Sequence, residues 1–173
     1  MKHPSRLACA LMVSAACLLA GGVSARAAET RVVALGASST AGKGVAPEAT
    51  YPAQLQQMLA ARGYAIRIVN AGINGDTSAG MLARLDADVP DGTDLVILQT
   101  GTNDAREDGH DENIAAIVDR LRARSIEVVP FKTSLMRDLR AGYSQADGHH
   151  LTAEGYRILA ARLLPLVERA IHR

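Results

Sequence analysis

Three residues of this sequence have the side-chain types and positions that acyl transfer requires. Ser38 lies in the short stretch GASST, directly after the apolar run RVVAL at 31–35, while Asp147 and His150 lie three residues apart near the other end of the chain. A serine hydroxyl attacks poorly until a base removes its proton, and a carboxylate can hold an imidazole in the tautomer that removes it. The three residues therefore predict a nucleophilic triad whose two halves are distant in sequence.

The amino-terminal residues have the pattern of an export signal. A basic start is followed by an apolar stretch at 7–23 and by the small-x-small sequence ARA at 25–27. This order predicts a signal peptide over residues 1–27, cleaved near Ala27, and a periplasmic or secreted protein. The apolar stretch is too short and wrongly flanked for a stable membrane span in the mature form.

Both cysteines, Cys9 and Cys17, lie within this predicted leader. The mature chain would therefore have no thiol and no disulfide. A lipid anchor at Cys17 is a weak alternative, because Ser14 stands where a lipoprotein signal usually has leucine. An uncleaved amphipathic or membrane anchor is the other alternative.

The rest of the chain, residues 28–173, has a common size for one domain. Without residues 1–27 the formal charge changes from +1 to −2, because the leader holds three basic and no acidic residues. There is no basic patch, and the aromatic residues are one Phe and four Tyr. This composition indicates neither a nucleic-acid partner nor a membrane surface.

Short apolar runs alternate with helical patterns, which is typical of a parallel sheet flanked by helices. Strands are predicted at 31–35, 65–70, 94–99 and 126–131. Helices are predicted at 51–62, with Thr50 as cap and Gly63 as stop, and at 77–85, 111–124 and 152–171, with Pro165 expected to kink or end the last. Residues 132–151 have no strong periodicity and are predicted to form a long functional loop.

Ligands of open parallel sheets collect at the carboxyl ends of the strands. The loops that follow the four predicted strands contain GAS at 36–38, NAGINGDT at 70–77, GTND at 101–104 and DGHH at 147–150. Within the second loop, Asp76, Thr77 and Ser78 are interpreted as a helix cap rather than as catalytic groups. The sheet should bring all four loops to one edge.

These four blocks, in this order, resemble those of the SGNH hydrolases, the GDSL-type esterases and lipases. The matching residues are Ser38, Gly75, Asn103 and His150, and the similarity is greatest to the bacterial arylesterase, thioesterase and lysophospholipase branch. The resemblance covers essentially all of residues 28–173. It implies a three-layer α/β/α sandwich of the flavodoxin-like SGNH fold.

The resemblance also implies roles for these residues. Ser38 would be the nucleophile and His150 the base, which the family frame D-x-x-H selects over His149. The oxyanion hole would consist of the backbone N–H groups of Ser38 and Gly75 and the side-chain amide of Asn103. The implied substrate is a small-molecule ester, and no cofactor is implied.

The sequence departs from the family pattern at two points. Ala37 stands where the family usually has aspartate, so the turn should be held differently and the selectivity altered. Asp147 follows Asn103 by only 44 positions. The resemblance therefore implies that one strand-helix unit, which most relatives carry before the D-x-x-H loop, is absent here. The sheet should therefore have about four strands in the order 2-1-3-4, and Ser38 must reach His150 across a smaller scaffold.

Two other kinds of site find less support. His110, Asp147, His149 and His150 have no regular metal-ligand spacing. A phosphate-binding loop would need glycine at Ala41 and serine or threonine at Gly44.

The predicted function is a serine esterase that hydrolyses short acyl, aryl or thioester substrates through an acyl-enzyme. The alternatives are an O-deacetylase of an envelope polysaccharide and a non-catalytic SGNH-like binding domain. The oligomeric state is left open.

Overall fold

The structure, a computed structural model, describes residues 28–100, 103–104 and 109–172. The predicted leader, with Cys9, Cys17 and the expected cleavage site, lies outside the described residues, as do Gly101 and Thr102 of the third block. Within the described part of the chain, no helix is both long enough and apolar enough to cross a membrane.

Four parallel strands form one sheet in the order β2-β1-β3-β4, as predicted from the sequence. The strands are β1 (Thr30–Gly36), β2 (Ile66–Gly72), β3 (Leu95–Thr100) and β4 (Glu127–Lys132). Each predicted run is therefore a strand, with ends that differ from the prediction by one or two residues.

Helices connect the strands. They are α1 (Ser38–Ala41), α2 (Tyr51–Ala61), α3 (Ser78–Ala83), α4 (Leu85–Asp88), α5 (His110–Ala123), α6 (Leu139–Tyr143) and α7 (Ala153–Ile171). The sequence predicted one helix at 77–85, but the structure has two, because Arg84 between them leaves helical geometry at φ −100° and ψ 4°.

The two faces of the sheet bury different sides of β1, because successive side chains of a strand point to opposite faces. Val32 and Ala34 belong to a core shared with α2 and α7. Val33 and Leu35 belong to a second core, shared with α3 to α5. The result is the predicted three-layer α/β/α sandwich.

Pro165 was predicted to kink or end the last helix, and it does not end it. Helix α7 continues to Ile171, and Pro165 is exposed while Leu163, Leu164 and Val167 on either side of it are buried. Because the proline lies on the solvent side, water can satisfy the carbonyl that loses its helical partner. Packing of the buried face holds the helix together.

Two local predictions were also corrected. The predicted loop at 132–151 contains a 3₁₀ turn, Thr133–Met136, as well as α6 and an antiparallel bridge between Ser144 and Leu151. Thr50 does precede α2, but its hydroxyl donates to the Pro47 carbonyl instead of capping the helix.

Candidate active site

A serine, a histidine and an aspartate form a hydrogen-bonded chain at the carboxyl edge of the sheet. The Ser38 Oγ lies 2.9 Å from His150 Nε2, and His150 Nδ1 lies 2.6 Å from Asp147 Oδ2. With the ring proton on Nδ1, the imidazole donates to the carboxylate and its Nε2 can accept the serine proton. The smaller scaffold therefore brings Ser38 within hydrogen-bond reach of His150.

The Asp147 carboxylate is held by the loop that it belongs to. Its Oδ1 accepts from the backbone N–H groups of His149 and His150, at 2.9 and 3.0 Å. The turn includes Gly148 at φ +68°, a conformation that glycine adopts without strain. The backbone N–H and the ring of His150, together with the His149 N–H, keep the pKa of Asp147 well below its usual range.

The turn that presents Ser38 is fixed by a buried glutamine on β3. The Gln99 Oε1 accepts from the Ala37 N–H at 3.1 Å and from both the N–H and the hydroxyl of Thr40, at 3.1 and 2.7 Å. Ser38 lies between these two anchor points, as the first residue of α1. Ala37, which replaces the usual aspartate, is itself fully buried. A carboxamide from the neighbouring strand thus holds this turn.

Three hydrogen-bond donors lie near the Ser38 hydroxyl: the N–H groups of Ser38 and Gly75 and the side-chain amide of Asn103. The first N–H groups of a helix have no intrahelical acceptor, so the Ser38 N–H at the start of α1 is available. Gly75 has φ +80°, and within the described chain no acceptor is bonded to its N–H. Asn103 donates one amide hydrogen to the Asp76 carbonyl at 2.7 Å, which leaves its second hydrogen for another acceptor.

The loop of Gly75 is fixed by Arg84. The Arg84 guanidinium donates to Asp76 Oδ2 at 2.8 Å, to the Ala71 carbonyl at 2.9 Å and to the Gly36 carbonyl at 3.0 Å. It also pairs with Asp88. One side chain therefore ties the ends of β1 and β2 to the loop that carries a donor.

The third block is anchored to α3 by Asp104, which is only 7% exposed. Its Oδ1 accepts from the N–H of Ser78 at 2.7 Å and from the Ser78 hydroxyl at 2.5 Å. Burial acts to raise the pKa of Asp104, but these bonds and the nearby His110 outweigh it, so the pKa lies below its ordinary value. Asp104 thus fixes its neighbour Asn103 beside the Gly75 loop.

No role in the site was predicted from the sequence for Gln99, Arg84 or Asp104. A signal was present for Gln99, because a polar residue inside the apolar run DLVILQ needs a buried partner. Arg84 has a weaker signal, since it interrupts an apolar helical pattern. Thr77 does cap α3, accepting from the Gly80 N–H, as predicted for its block.

A cavity of about 350 Å³ contains the proposed serine and its neighbours. Its lining includes Ser38, Gly75, Asn103 and His150, together with Ser39, Lys43, Arg140 and His149. A larger cavity of about 560 Å³ lies at the opposite, amino edge of the strands, so volume alone does not locate the site. Among the described residues, no group of three His, Cys, Asp or Glu side chains could hold a metal ion.

Comparisons with known proteins identify the family of this chain. A model of the GDSL-like Lipase/Acylhydrolase family matches residues 34–146. Esterase TesA of Pseudomonas aeruginosa is 35% identical over 125 residues, which cover 69% of this chain and 62% of that protein. The chain therefore spans less than two thirds of this curated relative's length.

Solved structures have the same fold. A crystal structure of TesA superposes with a TM-score of 0.72 and 26% identity, covering 82% of this chain and 99% of that one. The esterase EstA from Pseudoalteromonas sp. gives a TM-score of 0.70 with 20% identity, covering 83% and 100%. The family match spans more than half of the sequence and the sandwich is shared, so the chain belongs to the GDSL-like lipase/acylhydrolase family, the SGNH hydrolases.

Proposed function

We propose that this protein is a serine esterase that hydrolyses short acyl, aryl or thioester substrates through an acyl-enzyme. The observation that carries the proposal is the chain from Ser38 through His150 to Asp147, with both hydrogen bonds at 2.9 Å or less. Membership of an acylhydrolase family supports the same reaction class. The three donors near the Ser38 hydroxyl complete the set of groups that acyl transfer requires.

In the first half of the reaction, the Ser38 Oγ attacks the ester carbonyl carbon while His150 Nε2 accepts the hydroxyl proton. The carbonyl oxygen becomes an oxyanion, which the N–H groups of Ser38 and Gly75 and the Asn103 amide stabilise. When the tetrahedral intermediate collapses, the carbon–oxygen or carbon–sulfur bond breaks. The leaving alkoxide or thiolate takes the proton from His150, and the acyl group stays on Ser38.

The second half uses the same groups on water. His150 accepts a proton from a water molecule, whose oxygen attacks the acyl carbon and forms a second oxyanion at the same donors. The bond to Ser38 then breaks, and the proton on His150 returns to the serine oxygen. Asp147 stays ionised throughout and stabilises the imidazolium that forms in each half.

We further propose that residues 28–173 are the exported enzyme, released from the leader near Ala27. The support is the order of charge, apolar core and small residues over 1–27. Mass spectrometry of the protein secreted by an expressing bacterium should find a chain that begins near residue 28. Retention of residue 1 in an exported chain would contradict the cleavage.

The reaction is tested with purified protein and a chromogenic short-chain ester. Ser38→Ala and His150→Ala should each lower kcat/KM by at least about 10³-fold, because nucleophile and base act as one unit. His149→Ala is the matched control, since it removes the adjacent imidazole and should cost far less than His150→Ala. Equal rates in the wild type, Ser38→Ala and His150→Ala would overturn the proposal.

A fluorophosphonate probe separates the esterase from a non-catalytic binding domain. The folded wild type should be labelled on Ser38, and Ser38→Ala should not be labelled. A folded protein that neither reacts nor turns over esters would favour the binding domain. Release of acetate from acetylated glycans, compared with release from aryl acetates, measures the deacetylase alternative in the same preparation.

A further inference from the structure

Two fixed cations share the cavity that contains Ser38. Lys43 follows α1, and its backbone N–H donates to the Ser38 carbonyl at 3.0 Å. Arg140 lies on α6, in the segment that leads to His150. Both line the cavity of about 350 Å³ together with Ser38 and Gly75. One cation therefore lies close in sequence to Ser38, and the other lies in the segment that precedes His150.

Hydrogen bonds from two side chains hold the backbone of Lys43 and Arg140 in place. The Gln145 side-chain amide donates to the Lys43 carbonyl at 2.8 Å and to the Leu151 carbonyl at 2.7 Å. The loop of Lys43 is thereby tied to the loop of His150. On the other side, the Ser144 hydroxyl donates to the Arg140 carbonyl at 2.7 Å and closes the end of α6.

Neither cation is neutralised within the described part of the chain. Five arginines there do have carboxylate partners within 4.0 Å, namely Arg62, Arg84, Arg124, Arg157 and Arg162, but Lys43 and Arg140 do not. The Arg140 Nε is buried and has no acceptor among the described residues. Asp147, the nearby carboxylate, already accepts three hydrogen bonds from its own loop.

A partly buried guanidinium without an acceptor costs free energy, so its presence in a cavity suggests that a ligand supplies the acceptor. Uncompensated charge of one sign in a cleft also attracts ligands of the opposite sign. Arginine binds carboxylate and phosphate with its planar fork, and lysine adds a point charge. The chemistry that fits both is an anionic oxygen group.

We propose that Lys43 and Arg140 make this site selective for esters that carry a carboxylate or phosphate on the acyl or the alcohol fragment. The inference rests on the proposed esterase function and specifies its substrate class. The anionic group would lie in the same cavity as the reacting carbonyl, next to the two cations.

Matched pairs of aryl esters test the selectivity. On the acyl side, the pair is 4-nitrophenyl hydrogen adipate and 4-nitrophenyl 6-oxoheptanoate, in which a neutral ketone replaces the carboxylate. On the alcohol side, 4-carboxyphenyl acetate is compared with 4-carbamoylphenyl acetate. The phosphate ester, 4-acetoxyphenyl phosphate, is compared with the same neutral acetate. At least one anionic ester should have a higher kcat/KM than its neutral partner, and the ratio should fall as salt is added.

Charge variants assign the preference to the two residues. Lys43→Met and Arg140→Met should each lower the anionic-to-neutral ratio of kcat/KM by about three- to tenfold, and Lys43→Glu should lower it further. Arg140→Lys should retain part of the preference because the charge remains. Arg67→Met, which removes an exposed cation of β2 far from the cavity, should leave the ratio unchanged.

Lys43 is exposed, so its variants test the proposal even if Arg140→Met does not fold. A wild-type ratio at or below one in every pair would overturn the inference. So would a ratio that is the same in the wild type, Lys43→Glu and Arg140→Met. Hydrolysis of neutral esters without preference would leave the esterase proposal standing, whereas failure to hydrolyse any ester in a folded protein would overturn that proposal itself.

Discussion

At the scale of single residues, the proposed base His150 depends on the Asp147 carboxylate, whose position is fixed by hydrogen bonds. Asp147 is bound by two backbone N–H groups on Oδ1 and by the His150 ring on Oδ2, so the imidazole tautomer and the loop conformation are fixed together. Asp147→Asn keeps the shape but offers an N–H where the ring needs an acceptor. We expect kcat/KM to fall by about 10²- to 10⁴-fold.

The measurement is steady-state hydrolysis of a neutral aryl ester near pH 8, with unchanged circular dichroism as evidence of folding. Asp111→Asn, which neutralises an exposed carboxylate on α5, is the control and should keep the wild-type rate. If Asp147→Asn retained nearly full activity, Asp147 would not be the partner of the base.

The pH dependence follows from the direction of the Asp147 shift. Its pKa is held well below the ordinary value of 3.8. A carboxyl group whose pKa is lowered by folding stabilises the fold above its unfolded pKa, and that contribution is lost only as the pH falls below about 4. Asp147 should therefore stay ionised between about pH 8 and pH 5, and a pH–rate profile over this range should show no step from its protonation.

At the scale of elements, β3 controls a turn that belongs to β1 and α1. Gln99 supplies one oxygen to three donors of that turn, and the residue is only 1% exposed. Gln99→Met has a similar length but no such acceptor, so the Ala37 N–H would be left buried and unpaired and the Thr40 hydroxyl would lose its acceptor at 2.7 Å. The Thr40 N–H would keep its hydrogen bond to the Ala37 carbonyl at 3.0 Å. Each such loss costs about 1–3 kcal/mol.

We therefore expect Gln99→Met to lower the free energy of unfolding by about 2–4 kcal/mol. It should also lower kcat, even when kcat is measured at a temperature well below the melting temperature of the variant. Gln99→Glu, which keeps an acceptor oxygen, should recover part of kcat. The exposed Gln57→Met is the control for the same chemical change on α2. A Gln99→Met protein with reduced stability but the wild-type kcat would limit Gln99 to a structural role.

Strands and helices were predicted well from the sequence where burial of apolar side chains is the dominant interaction. Strands buried on both faces appear as continuous apolar runs, and α7 shows a clear helical stripe. The segment 132–151 was missed because its short helices depend on distant contacts. Asp138, just before α6, forms two hydrogen bonds with Arg162 of α7, at 2.7 and 2.6 Å. No local pattern encodes such a contact.

For the candidate site, the sequence proposed the residues of the chemistry but not those that hold them in place. Residues in the four blocks could be proposed because their types and order match a family pattern. Gln99 and Arg84, which position those blocks, were not found, because each acts through a fold in which β1, β2 and β3 lie side by side. Arg140 was also missed, since only the folded chain places α6 beside Ser38.

At the scale of the whole molecule, a sheet of four strands in one open row has two edges. Among the strands that the structure describes, β2 and β4 are the outer ones. Unpaired edges invite association with other chains. On β2, the Ile68 N–H donates to the Gln56 side chain at 2.6 Å, so α2 covers a donor of this edge.

On β4 the protection comes from a proline. The Glu127 N–H donates to the Asp94 carbonyl of the β3 side, and the direction of the N–H groups alternates along a strand. Val129 and Phe131 therefore point their N–H groups toward β3, and residue 130 faces outward. Pro130, which is exposed, removes a donor from the outer edge without breaking the sheet.

This geometry predicts that Pro130→Thr promotes self-association. Threonine restores the outward N–H and favours strand geometry, so a second chain could pair along β4. Sedimentation velocity over a range of concentrations should show an average mass that rises more steeply for Pro130→Thr than for the wild type. Pro165→Ala removes an exposed proline from α7 and should behave as the wild type does. Identical sedimentation of Pro130→Thr and the wild type would mean that other features, such as the charged ends of β4, already block pairing along this edge.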